Sequence, residues 1–159
     1  MKNKIVEITH TSREEVLAAV QDFSNTYSSQ GFSKSVKVFA VGDGKYIIEF
    51  ENMDSEHFKY AVNYLRYPET KPTFHSVFGY DPNSKIMYFV PESDEEYDNC
   101  YSIDSKGKSL KHSFNGVSSE VESDQQYIKL DVELSGLEVI STMTGEAPVK
   151  KGFLSWLFG

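Results

Sequence analysis

The stretch SVKVFAVGDGKYIIEFE, Ser35 to Glu51, places two runs of β-branched and aromatic residues on either side of Gly42, Asp43 and Gly44. Those three residues tolerate positive φ at little cost, so the segment predicts a β-hairpin. Before the hairpin, Lys4 to Thr9 alternates around Val6 and Ile8 as a strand. Ser12 and Glu15 follow at capping-box spacing, and Val16, Val20, Phe23 and Tyr27 recur at the helical period. SSQG, Ser28 to Gly31, closes that helix with a glycine. After the hairpin, Asp54 is the expected N-cap of a second helix, with Met53 and Phe58 at hydrophobic-staple spacing. Phe58, Val62 and Leu65 form its buried stripe, and Pro68 disfavours helical geometry at Tyr67. FHSVFGY, Phe74 to Tyr80, reads as a fourth strand.

The order over residues 1–80 is therefore β-α-β-β-α-β, which resembles the ferredoxin-like arrangement. The resemblance is to a fold pattern and implies no particular activity, because this arrangement hosts many. It does imply that both helices cover one face of the sheet. Val6, Ile8, Val36, Val38, Ile48 and Phe50 are placed to meet them. On the opposite face, Ile5, Phe39, Val41, Ile47 and Val77 mix with Glu7, Thr9, Lys37 and Glu49. That is more apolar than a freely solvated face needs, so something is expected to cover it.

Residues 81–140 read as a β-rich extension of the same α+β domain, which is expected to occupy residues 1–145. DPNSK, Asp81 to Lys85, is a turn, IMYFV, YSID and SLKHSF are short strands, and YIKLDVEL, Tyr127 to Leu134, alternates as a further one. Short connections favour consecutive antiparallel pairing, which extends the sheet beyond the fourth strand.

Sixteen basic and twenty-four acidic residues give a formal charge of −8, which repels phosphate backbones and disfavours nucleic acid as a partner. The single cysteine, Cys100, excludes an intrachain disulfide and favours a reducing compartment. MKNKIVEITHTSREE has a three-residue apolar cluster broken by Glu7, well short of a signal-peptide core, and no apolar run approaches the ~18 residues needed to cross a bilayer. A cytoplasmic protein is expected.

Sequence spacing supplies no catalytic motif and no metal or cofactor ligand set. PESDEEYDN carries Asp94, Glu96 and Asp98 at alternating positions, yet Asn99 and Ser105 stand where a calcium loop needs glycine and a closing glutamate. There is no nucleophile elbow, P-loop or dinucleotide fingerprint. The ferredoxin-like arrangement does set the first and fourth strands side by side, which brings His10 near His75. Two surface imidazoles are the bland reading of that pair, and a ligand or hydrolase pocket the sharp one.

KKGFLSWLFG, from Lys150, puts Phe153, Leu154, Trp156, Leu157 and Phe158 close together behind two lysines. Within the 146–159 tail, these five are the expected interaction residues. Their burial stabilises by about 1.5–3 kcal/mol each, more than the about 1–2 kcal/mol per residue lost on ordering the backbone. Three surfaces compete for the tail: its own domain, another protein or a second copy, and a membrane, which the acidic body disfavours. The expected function is non-catalytic, through protein–protein interaction or self-association. The alternatives are a small-molecule-binding protein or hydrolase near His10 and His75, and a peripheral membrane adaptor using the tail.

Overall fold

A computed structural model describes residues 3–9, 12–27, 35–68, 74, 76–94 and 97–144. The chain runs β1 (Lys4–Thr9), α1 (Arg13–Tyr27), β2 (Ser35–Gly42), β3 (Lys45–Phe50), α2 (Ser55–Arg66), β4 (Ser76–Asp81), β5 (Ile86–Phe89), β6 (Asn99–Asp104), β7 (Ser109–Ser113), β8 (Ser118–Glu120), a short 3-10 helix (Leu134–Gly136) and β9 (Glu138–Thr144). It is an α+β protein. The strands form one nine-stranded antiparallel sheet in the order β8-β7-β6-β5-β4-β1-β3-β2-β9.

Local chemistry fixes the ends of these elements. In the β2–β3 turn Gly42, Asp43 and Gly44 take φ of 107°, 55° and 74°. Ser12 Oγ accepts the Glu15 amide at 3.2 Å at the start of α1, and Asp54 Oδ1 accepts the His57 amide at 2.8 Å at the start of α2. Met53 and Phe58 are both buried in one core cluster, as a hydrophobic staple requires. α2 ends at Arg66, and the Tyr67 amide reaches back to the Asn63 and Tyr64 carbonyls ahead of Pro68.

Both helices contribute to the same core. Val16, Val20 and Phe23 of α1 and Phe58, Val62 and Leu65 of α2 pack with Val6, Ile8, Val36, Val38, Ile48 and Phe50 of the sheet. Ring edges meet ring faces within it: Phe23 and Phe50 lie 5.8 Å apart at 79°, and Phe58 and Tyr88 5.6 Å apart at 86°. Gly79 in β4 makes room for this packing. A Cβ there would stand 2.6 Å from Phe58 Cζ and 2.7 Å from Val62 Cγ2. Val77, expected on the other face, pairs with Ile8 and packs in the helix-side core instead. Phe78 takes the outer position, because pairing with β1 sets Val77 opposite the helix-side Ile8 and Phe78 opposite Glu7.

The other face carries Ile5, Phe39, Ile47 and Tyr80 in one cluster and Met87, Phe89 and Ile103 in a second. Neither lies open. Tyr127, Leu130, Val132, Leu134 and Leu137 pack across them, and the Tyr127 hydroxyl bonds that of Tyr80 at 3.0 Å. Tyr127–Leu134, expected as a strand, is therefore a strap laid flat on the sheet: residues 122–133 belong to no strand and no helix. Its alternation records burial on one side only, and a ribbon resting on a sheet face produces the same period of two as a ribbon paired within the sheet.

The strap joins β8 at one edge to β9 at the other. Crossing nine strands at ~4.8 Å spacing needs on the order of 40 Å, which residues 121–137 cover when extended at ~3.3 Å each. β9 itself was not expected from the sequence. Pairing with β2 ends its helix-side burial on Ile140 and Met143.

Replacing Gly79 with alanine is expected to destabilise the fold by about 1–3 kcal/mol, read as a lower urea midpoint at unchanged slope. The double substitution Leu130→Ser/Val132→Ser is expected to cost about 0.5–3 kcal/mol per site. It should also raise apolar-dye binding while far-ultraviolet dichroism stays unchanged, because it frees the strap and leaves the strands paired.

Candidate functional site

Beside the apolar stripe of α2, the helix also buries polar groups. Lys59, Asn63 and Arg66 stand four and three residues apart, so they share one side of the helix. All three are buried. Lys59 Nζ meets Glu56 Oε1 at 2.8 Å, Asn63 Nδ2 donates to the Asn99 carbonyl at 2.7 Å, and Arg66 Nη1 donates to the Phe74 carbonyl at 2.6 Å. At the N-terminal end of α2, buried Lys4 donates to the Met53 carbonyl and stands 3.7 Å from Asp81. Asp81 Oδ2 also accepts from Ser55 Oγ at 3.2 Å and Ser84 Oγ at 2.9 Å. Each buried charge is thus answered by hydrogen bonds, the condition on which such groups persist in a core.

At the far end of this polar layer, register assembles a cluster the sequence had not suggested. β6 and β7 pair Cys100 with His112, and β7 and β8 pair His112 with Ser118. The imidazole lies between two serines, Nε2 at 2.8 Å from Ser102 Oγ and Nδ1 at 2.9 Å from Ser118 Oγ. A cleft of about 200 Å³ opens beside it, lined by Glu56, Lys59, Tyr60, His112, Phe114 and Ser118. Tyr60 and Phe114 stack at 4.2 Å on its wall.

Burial lowers the His112 pKa to about 4, and the neighbouring Lys59 ammonium pushes the same way while Glu56 opposes them. At neutral pH the ring is uncharged, so one nitrogen donates and the other accepts. The serine–imidazole–serine chain has the connectivity of a nucleophile and base. Its base is weak, because a group poised for proton transfer titrates near the working pH. Lys59 disfavours the imidazolium that acylation would create, and a hydroxyl stands where hydrolases place a carboxylate. What the geometry performs is bridging: one neutral ring ties β6, β7 and β8 together.

Cys100 lies fully buried, and burial pushes its thiol up to about 12. It is therefore no thiolate nucleophile at neutral pH. His57 stands at the start of α2, 3.1 Å from Asp54. β1 and β4 bring Thr9 opposite Ser76, while His10 and His75 lie outside the described residues. Glu96 of the acidic loop and the tail residues Phe153, Leu154, Trp156, Leu157 and Phe158 also lie outside them. Among the described residues no group of three or more His, Cys, Asp or Glu is arranged to hold a metal ion, and no helix is long and apolar enough to cross a membrane. A larger cleft of about 540 Å³ lies under the strap's beginning, bordered by Glu92, Glu122, Asp124, Phe89 and Tyr101.

The two sheet edges differ. β8 has three exposed residues, ends on Glu120 paired with Lys108 at 3.4 Å, and runs straight into the strap. β9 has seven residues, EVISTMT, and its single charge, Glu138, meets Arg13 at 3.9 Å. Ile140 and Met143 pack inward, Val139 is 49 % exposed, and a register shift between Val38 and Phe39 leaves Ile140 as an extra residue. No described strand pairs with the outer side of β9. Sequence reasoning missed both His112 and this edge, because each exists only through strand register.

The lowered His112 pKa sets a pH window for stability. Between 6.5 and about 4 the unfolded chain binds a proton at His112 that the folded chain refuses, so stability is complete above 6.5 and falls toward 4. Urea midpoints across this range should fall less steeply for His112→Gln than for the natural chain.

Comparison with known proteins finds no family model, no curated protein and no solved structure that matches the chain.

Proposed function

We propose that the protein is a non-catalytic binding protein, built on a ferredoxin-like core, that acts by pairing the β9 edge with a strand of another chain. The core reading is supported by the internal strand order β4-β1-β3-β2 and by the single cluster that α1 and α2 share with β1, β2 and β3. The binding reading is carried by the contrast between the edges. Exposed edges are commonly blunted by shortness, charge or proline, and β8 has the first two. β9 is long, has no proline, and after Glu138 has no charge. Among the described residues its bulge is the one protective device. An edge with its backbone groups open is a template for strand addition, in which main-chain hydrogen bonds supply affinity and alternate side chains supply specificity. The single buried, protonated Cys100 suits a cytoplasmic location.

One observation favours a second reading. The Ser118–His112–Ser102 chain beside a cleft has the connectivity of a hydrolase, with Ser118 as nucleophile and His112 as base. Its weak base makes it the lesser alternative.

The two readings separate in one set of variants. Val139→Lys/Thr142→Lys should keep the fold, since both positions are exposed, yet lose the proteins that the natural chain captures from a lysate of its host. Ser118→Ala should capture them all. Identical capture by the lysine variant would remove the edge from the function, and covalent labelling of Ser118 by a fluorophosphonate would establish the hydrolase reading.

A further inference from the structure

We infer that the cleft beside His112 is a binding site for a small aromatic monocarboxylate, held by the Lys59 ammonium and the Ser118 hydroxyl. The inference goes beyond the β9 edge and does not depend on it.

Lys59 supplies the charge. It is 8 % exposed, and among the described residues Glu56 is the one group that its ammonium bonds, at 2.8 Å. An ammonium carries three N–H donors, and burying it costs free energy while donors stay unmet. Glu56 is a loose partner, because its side chain is 78 % exposed and an ion pair open to water on one side contributes little. Both residues line the cleft of about 200 Å³. An acceptor placed in that cleft satisfies donors that the chain itself leaves over.

The direction of the serine–imidazole–serine chain supplies a second donor. Ser102 is buried, and among the described residues His112 Nε2 is the one acceptor for its hydroxyl. Ser102 Oγ–H therefore donates to Nε2, which sets the ring proton on Nδ1, and Nδ1–H donates to Ser118 Oγ. The hydroxyl proton of Ser118 is then turned away from the ring, and Ser118 is an exposed residue on the cleft wall. The same polarity leaves Nδ1 without a lone pair to take that proton, so the arrangement holds an oxygen ligand instead of activating the serine.

Two donors on one small cleft, one of them charged, select an anionic oxygen. The volume lies below the ~300–1,000 Å³ of drug-sized ligand sites, which limits the occupant to a small molecule. The chain carries −8 and Glu56 lines the cleft, so a single carboxylate is favoured over a phosphate dianion or a polyanion. Tyr60 and Phe114, stacked at 4.2 Å, give the wall an aromatic surface that suits an aryl group behind the carboxylate. Binding is thus an exchange: the ligand carboxylate replaces that of Glu56 on Lys59, and Glu56 turns out into water.

The test is titration of the full chain with benzoate at pH 7 and constant ionic strength, read by NMR on the His112 and Tyr60 ring signals. The natural chain should saturate with a Kd of about 10 mM or tighter, and benzamide, the neutral isostere, should bind about tenfold more weakly. Glu56→Gln should tighten benzoate, since it removes the competing carboxylate. Lys59→Met should weaken it about tenfold or more, and Ser118→Ala about threefold to tenfold. Urea midpoints show which variants are folded, and benzoate should raise the midpoint of the natural chain. If Lys59→Met does not fold, the opposite signs expected for Glu56→Gln and Ser118→Ala decide the question. Absence of saturable binding up to about 50 mM overturns the inference, as does equal binding of benzamide or an affinity that the folded variants leave unchanged. Val139→Lys/Thr142→Lys should bind benzoate as the natural chain does, so failure of the edge reading and failure of this one are separate results.

Discussion

A wide sheet with two helices packed on one face must find a cover for the other, and that constraint organises the molecule. α1 and α2 bury one side of β1, β2, β3 and β4. The opposite side presents Ile5, Phe39, Ile47, Tyr80, Met87, Phe89 and Ile103, too much apolar surface to leave in water. The chain meets the need by leaving the sheet at β8, crossing its face as an extended strap, and rejoining it at the far edge as β9. The single tyrosine–tyrosine hydrogen bond to buried Tyr80 pins the strap where its phenol would otherwise be stranded. Burial and this bond hold Tyr80 protonated far above its ordinary range.

The helix-covered face solves a different problem. α2 packs Phe58, Val62 and Leu65 into the apolar core, but it also buries Lys59, Asn63 and Arg66, which need partners in an interior otherwise suited to apolar contact. Glu56 and the backbone carbonyls of Asn99 and Phe74 answer them, while Ser102 and Ser118 satisfy His112. Burial keeps the His112 imidazole neutral and the Cys100 thiol protonated at neutral pH, and each makes hydrogen bonds to the strands around it.

Functionally, the strap has a consequence at its end. Because it terminates in β9, the strand that closes the second face is also the sheet's outermost strand, with one side on β2 and the other open among the described residues. β8, at the opposite limit, is short and charged. Among the described residues the sheet is thus short and charged at one edge and unpaired along seven residues at the other, which is why the functional proposal falls on β9 and not on the histidine cleft.

Much of the first half was legible because its determinants are local. The Gly42–Gly44 turn, the Ser12 and Asp54 caps, the Met53–Phe58 staple and the stop at Pro68 each act within a few residues, so their signature lies in the sequence at that point. The outward-facing Ile5, Phe39 and Ile47 even announced that the second face would be covered. What covers it was decided by tertiary structure. Tyr127–Leu134 has the alternation of a strand, and only the pairing of β2 with β9 decides that this ribbon lies on the sheet while the next one lies in it. His112 and Ser118 are adjacent because β6, β7 and β8 pair in one register, and a slip of a single residue would turn them to opposite faces. Register depends on burial summed over whole strands far apart in the chain, which no short window of sequence contains.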